Sequence, residues 1–342
     1  MTDTQPWRPL AALPRAWGGP CLEGVLRDSL ADFRVEEILG FAPEGEGEHL
    51  WLRVRKTGAN TEWVARRLAA WASVPLERVS WAGLKDRRAV TEQWFSLHLA
   101  GREAPPTLNL DAPGVEVVAR VRGRRKLRPG VHRGNRFCIR VRKVEGDREQ
   151  AARILVALAE GGMPHYFGEQ RFGRGYGNLQ AALRLFRGEI RPRRHLRGLY
   201  LSAARAQLFN EVLGLRLGRG DWNRVGDGDW VQLEGSRSGF LVERADTETA
   251  RRAAALDIHP TGPLWGAGDP ACRDGVAALE QTLAADRVAF AEGLAAAGLE
   301  QERRALRVVV RHLEWAWEGR DLLVRFELPR GAYATALLRE LL

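Results

Sequence analysis

Between Glu48 and Lys56, apolar Leu50, Leu52 and Val54 alternate with Trp51, Arg53 and Arg55, the period-two signature that predicts a strand with one buried face. A helix is expected directly after it. Asn60 and Thr61 are good caps, Glu62 lies in the first turn, and Val64, Leu68 and Trp71 form one apolar stripe at helical spacing. Pro75 to Arg78 then reads as a short helix, Val79 to Trp81 as a short strand, Gly83 to Thr91 as a polar loop and Gln93 to Leu99 as a second strand. Strand-then-helix recurs: Gly134 to Val144 predicts a strand, and Asp147 caps a helix carrying Ile154, Leu155 and Leu158 that stops at Gly161-Gly162. Near the far end, Ala305 to Leu313 and Asp321 to Leu328 read as two strands joined by a turn, with a helix from Ala332 to Leu342 after them.

The middle of the chain is patterned differently. Helical spacing at Asn178 to Arg187, Ser202 to Leu217 and Gly275 to Ala297 surrounds a Gly- and Asp-rich stretch, Gly218 to Gly239. Either one domain is inserted into another whose ends come together, or three domains follow one another. The final strand pair is too small to stand alone, which favours insertion.

Composition narrows the class of protein. A chain of 342 residues with 45% hydrophobic content can bury a substantial core. It has no apolar run of about eighteen residues, and residues 1 to 15 lack the order of a secretory signal. The expectation is a soluble, cytoplasmic protein with no membrane partner. Cys21, Cys138 and Cys272 are far apart, and the histidines form no HExxH or paired pattern, so neither disulfides nor a metal are expected.

The formal charge is +10, and its distribution is more telling than its size. From Ala119 to Arg142 the chain holds ten Lys and Arg, among them Arg124, Arg125 and Lys126, and no acid. Such a block suits a phosphate backbone, or it is a solvated basic strand and loop; the absence of helical ion-pair partners favours nucleic acid. A cluster at Arg187, Arg191, Arg193, Arg194 and Arg197 allows the same two readings. The glycines of Phe172 to Asn178 fail the GxGxxG spacing and read as a hinge.

One carboxylate has an unusual setting. In Gly83-Leu84-Lys85-Asp86-Arg87-Arg88 a single acid stands among three cations on a predicted loop. As a surface residue Asp86 would make ordinary ion pairs. As a catalytic group it would be kept ionised by the same cations, which a nucleophile or base requires.

The longer stretch Ala82 to Trp94, with Gly83-Leu84-Lys85-Asp86 at its centre, resembles the signature of the TruD family of pseudouridine synthases. Further stretches resemble that family in the same order: Ala31-Asp32-Phe33-Arg34-Val35-Glu36-Glu37, Lys126-Leu127-Arg128-Pro129-Gly130, Arg133-Gly134-Asn135-Arg136-Phe137, Tyr166 to Gly173, Leu201 to Arg205 and Leu328 to Thr335. The resemblance spans nearly the whole chain. It implies an α+β fold: a pseudouridine synthase catalytic core with a mixed, mostly antiparallel sheet (residues 1–158 and 307–342), interrupted by an inserted α/β TRUD domain (159–306). It implies an enzyme that isomerises a specific uridine of tRNA, position 13 in the family, without cofactor or metal and with no obligatory protein partner. A non-catalytic RNA-binding or RNA-chaperone protein of the same fold is the alternative, and the intact Asp86 motif speaks against it. A methyltransferase would need a cofactor loop after a strand, and none is evident.

The resemblance also assigns roles. Asp86 takes the place of the essential carboxylate, acting on ribose or base. Phe33, Asn135 and Tyr333 match positions that line the uridine pocket; an aromatic face and an amide suit a flipped base. Phe137 lies two residues beyond Asn135, on the same strand face. A core position is the rival reading for Phe33 and Phe137, and a turn position for Asn135. Arg27 stands where the family is expected to have a lysine beside the carboxylate, and it can pair with Asp86. Lys85 is expected to face phosphate or the loop backbone. Arg171 and Arg174, with Arg124, Arg125 and Lys126, are candidates for the RNA backbone.

Overall fold

The computed structural model describes residues 6–106 and 110–342. Within them the alternation at Leu50, Leu52 and Val54 is realised as a strand in a nine-stranded sheet. Its members are β1 (Leu22–Leu26), β2 (Phe33–Ile38), β3 (His49–Thr57), β4 (Val79–Trp81), β5 (Val90–His98), β6 (Val115–Gly123), β7 (Gly134–Gly146), β8 (Arg311–Glu318) and β9 (Asp321–Pro329). They lie in the order β8-β9-β7-β2-β5-β3-β6, with β1 also on β7 and β4 also on β5. Only β2 and β5 run parallel among these pairs. The sheet is therefore mixed and mostly antiparallel, in an α+β chain.

The apolar side chains of β3 explain where the sheet is covered. Leu50, Leu52 and Val54 bury against Val64 and Leu68 of helix α1 (Thr61–Trp71) and against Phe95 and Leu97 of β5, each such side chain contributing about 1.5–3 kcal/mol. The other face of β3 is not simply polar. Trp51 is buried there with Leu39 and Leu127, and its indole N–H donates to Arg125 O at 2.9 Å.

By its internal contacts the chain divides into two units, Leu22–Asp147 with Val310–Gly331, and Met1–Cys21 with Arg148–Val309 and Ala332–Leu342. These bounds differ from the sequence-based 1–158 and 307–342 in where they put residues 1–21, 148–158, 307–309 and 332–342. In the second unit a four-stranded sheet has the order Gly239–Leu241, Trp230–Leu233, Ile258–Leu264, Glu302–Ala305. The long helix Arg194–Arg219 supplies many of its buried side chains, Leu208, Phe209, Val212 and Leu213 among them.

Some elements depart from the sequence pattern. The strand expected from Ala305 runs instead from Arg311 to Glu318, because the residues before it pair elsewhere: Glu302–Ala305 with Ile258–Leu264, and Arg307–Val308 with Met163–Pro164. The helical stretch from Gly275 is two helices, Asp274–Asp286 and Val288–Ala296, parted at Arg287 (φ −120°, ψ 36°), whose guanidinium lies 2.8 Å from buried Glu211. The terminal helix is shorter than expected, Ala334–Leu338. The Gly- and Asp-rich stretch holds a strand, Trp230–Leu233, anchored by Asp229: Arg216 donates to its two oxygens at 2.8 and 3.1 Å. Among the described residues no helix is long and apolar enough to cross a membrane, and no group of His, Cys, Asp and Glu is arranged to hold a metal ion.

Candidate active site

The connection 82–89 between β4 and β5 carries Asp86 and has little regular structure, so side chains from neighbouring elements set its shape. Gln93 Nε2 donates to Gly83 O at 3.0 Å, Lys85 N donates to Thr61 Oγ1 at 3.1 Å, and Thr61 Oγ1 donates to Gln93 Oε1 at 2.8 Å. Gly130 N donates to Ala82 O at 2.6 Å. Lys56, fully buried near the end of β3, donates from Nζ to Ala59 O at 2.7 Å, Asp86 O at 3.0 Å and Lys85 O at 3.3 Å. Burial pulls its pKa down to about 8, with the Asp86 carboxylate opposing that shift and the Lys85 ammonium adding to it.

The Asp86 side chain is 47% exposed, and Arg27 Nη2 donates to its Oδ2 at 2.8 Å. Its Oδ1 accepts no hydrogen bond from the described residues. Arg27 follows β1 in a left-handed backbone conformation, φ +59°, which costs a non-glycine residue about 1–2 kcal/mol. Its guanidinium carbon also sits 4.0 Å from the centroid of the Phe33 ring. One planar cation thus touches both the carboxylate and an aromatic face.

Phe33 and Phe137 are both buried, as their reading as core residues requires. Phe137 meets Phe33 edge-on (6.4 Å, 77°) and stacks on Phe326 of β9 (5.2 Å, 23°). Register across β2 and β7 sets Val35 opposite Phe137 and Glu37 opposite Asn135, so these residues share one face of the sheet. Asn135 is half-buried, and its Oδ1 is buried without a hydrogen-bond partner. An orphaned buried acceptor costs about 1–3 kcal/mol, which a ligand N–H would relieve.

Lys85 does not face phosphate. Its Nζ lies 2.8 Å from Glu37 Oε2, the side chains 5% and 0% exposed, and Trp94 N donates to the other Glu37 oxygen at 3.1 Å. Glu37 draws it inward because a buried carboxylate needs a cation. His132 stands against Gly83, where a Cβ would come within 3.1 Å of its ring. Burial first, and then Lys85, depress its pKa, so the ring is neutral near pH 7.

Tyr333, Arg171 and Arg174 belong to the other unit. Arg171 donates to the Tyr333 hydroxyl from Nε at 3.1 Å and Nη2 at 2.8 Å, and from Nη1 to Ser202 Oγ at 3.1 Å. That engagement ties the half-buried guanidinium to two hydroxyl groups of the protein. Gly168 permits it, since a Cβ there would meet the Tyr333 ring at 3.1 Å. Arg174 is exposed and forms no ion pair among the described residues.

The basic block is less free than its sequence suggests. Arg136 pairs with Glu327 at 2.7 Å, Arg140 with Glu318 at 2.6 Å and Arg142 with Asp32 at 2.7 Å, and Arg124 pairs with Glu46. These acids come from other strands (Glu318, Glu327), from the turn before β2 (Asp32) and from the segment before β3 (Glu46), where no count along the block could find them. Arg125, Lys126 and Arg128 are exposed and form no ion pair among the described residues.

Of the residues named from sequence, Asp86, Arg27, Lys85, Phe33, Asn135 and Phe137 fall in one unit. Lys56, Glu37 and His132 were not legible as site residues. Lys56 alone left a signal: it continues the inward register of Leu50, Leu52 and Val54, where an apolar residue is the norm.

Comparison with known proteins adds an independent finding. A family model described as tRNA pseudouridine synthase D (TruD) matches residues 14–192 and 176–341. A protein of Methylococcus capsulatus with that name is 48% identical over 334 residues, 96% of this chain and 94% of its own length. One from Hydrogenovibrio crunogenus is 44% identical over 328 residues, with 95% and 94% covered, and one from Pseudomonas aeruginosa 45% over 331, with 96% and 93% covered. A crystal structure from Methanosarcina mazei that carries the same TruD description superposes with a TM-score of 0.75 at 22% identity, covering 99% of this chain and 98% of that one, a likeness of fold.

Proposed function

Since the chain belongs to the tRNA pseudouridine synthase D family, we propose that it converts uridine at position 13 of tRNA to pseudouridine, with Asp86 as the essential carboxylate. The reaction breaks the bond from ribose C1′ to N1, turns the base and joins C1′ to C5; the proton leaving C5 balances the one N1 gains. No oxidant, reductant or cofactor enters that balance.

The observation that carries this reading is the Arg27–Asp86 pair. Its partners are 28% and 47% exposed, so the pair adds at most about 1 kcal/mol of stability. The left-handed backbone at Arg27 costs as much or more. A contact that does not stabilise the fold but ties one carboxylate oxygen and leaves Oδ1 open suits a group that must stay ionised and reach a substrate. Asn135, with its orphaned Oδ1, suits the N3–H of a flipped uracil. The unit holding Asp86, Arg27 and Asn135 carries the chemistry in this reading, and tRNA as substrate implies a cytoplasmic protein.

The test is incubation of unmodified tRNA transcripts bearing uridine 13 with the purified protein, without added metal or cofactor, followed by chemical mapping of pseudouridine. Wild type is expected to convert position 13, and Asp86→Asn to convert none while still binding the transcript. Full activity in Asp86→Asn would remove the carboxylate from the mechanism, and conversion elsewhere would move the target.

A further inference from the structure

We infer that Lys56 is a positioning residue for the Asp86 loop: its buried ammonium holds the carbonyls of the two peptides that flank the Asp86 α-carbon, and so sets where the carboxylate stands. The inference rests on the proposed function and adds to it a residue that never touches the substrate.

Three features of Lys56 argue for it. The side chain is fully buried, and lysine is almost never so unless paired. Among the described residues no carboxylate is its direct partner; its hydrogen bonds go to three main-chain carbonyls, those of Ala59, Lys85 and Asp86. Two of these belong to the loop that bears the proposed catalytic group. The geometry matches the donor: an ammonium has three N–H bonds and no acceptor, and here three oxygens face it.

The alternative is that Lys56 merely fills the end of the apolar face of β3. An apolar side chain would do that without the cost of desolvating a charge, and α1 already covers Leu50, Leu52 and Val54 next to it. What an apolar residue would not do is hold carbonyls on the two sides of a turn together. Thr61 and Gln93 fix the start of the loop through Lys85 N and Gly83 O; Lys56 fixes the residue that carries the carboxylate. Arg27 then meets Asp86 Oδ2 from a separate segment, and that meeting needs the loop at one height.

The experiment compares wild type, Lys56→Met and Asp86→Asn on the same uridine 13 transcripts, reading the single-turnover rate at saturating enzyme, the dissociation constant and the melting temperature. Lys56→Met keeps length and apolar bulk and removes all three donors. Misplacing a reacting group by about an ångström costs on the order of a hundredfold, so a fall of at least about tenfold in the saturated rate is expected, with binding kept within about threefold. A smaller fall, or one matched by weaker binding, overturns the inference. If Lys56→Met does not fold, Lys56→Gln, which keeps two amide N–H donors on a shorter side chain, is judged by the same two measurements and thresholds. A wild type without conversion overturns the proposed function and this inference together, whereas an active wild type with an equally fast Lys56→Met overturns the inference alone.

Discussion

Arg27 shows how one residue can hold a carboxylate at the expense of its own backbone. Its φ of +59° belongs to glycine more than to arginine, yet only a long planar cation reaches Asp86 Oδ2 while lying on Phe33. Arg27→Gly would relieve the strain and lose the ion pair and the cation–π contact, terms of about 1 kcal/mol each. Unfolding in urea should therefore stay within about 1 kcal/mol of wild type, while the conversion rate falls about a hundredfold. A large loss of stability with little loss of rate would make the residue structural. The position of Arg27 beside the carboxylate was legible in the sequence by resemblance. Its backbone strain was not, because nothing in a row of letters marks a left-handed arginine. The inward turn of Lys85 was equally hidden: Glu37 lies far off along the chain and meets it only through the pairing of β2 with β5.

At the scale of elements, the strand and helix at β3 and α1 were readable because each repeats its own period, and Leu50 and Val64 bury where that period puts them. Beyond Gly218 the pattern misleads. Asp and Gly are turn formers, yet Asp229 is fully buried and receives two bonds from Arg216, itself 3% exposed. Arg216 also reaches Asp221 at 2.8 Å, so one guanidinium near the end of the helix Arg194–Arg219 gathers the turn that follows it and the start of the strand Trp230–Leu233. Removing one partner of a buried pair leaves the other charge without compensation, at a cost of about 3–5 kcal/mol. Asp229→Ala is expected to lower the unfolding free energy by that amount in urea titrations. A loss under about 1 kcal/mol would mean that water reaches Arg216 in the variant.

Across the whole molecule, charge has to be counted after pairing rather than before it. The block from Arg120 to Arg142 looked uniformly available in sequence, but Arg136, Arg140 and Arg142 answer carboxylates on neighbouring strands and loops, while Arg125, Lys126 and Arg128 answer none among the described residues. Counterion release follows the cations that phosphates can engage. Arg125→Ala should lower the slope of log binding constant against log salt by about one, and Arg140→Ala should leave it nearly unchanged. Equal slopes for the two variants would show that pairing within the protein does not decide which arginines meet RNA. The sheet that carries Asp86 also has a history in time. Its longest strand, β7, pairs with β9 from Leu322↔Val141 to Pro329↔Gly134, and Arg136 waits for Glu327 across 191 residues of chain. At about 5–20 residues per second of synthesis, β7 stands with one edge open for roughly ten to forty seconds. Phe137, Ile139 and Val141 lie along that edge, so each nascent chain passes through an interval in which the half-built sheet can pair with a stranger before its own last strand arrives.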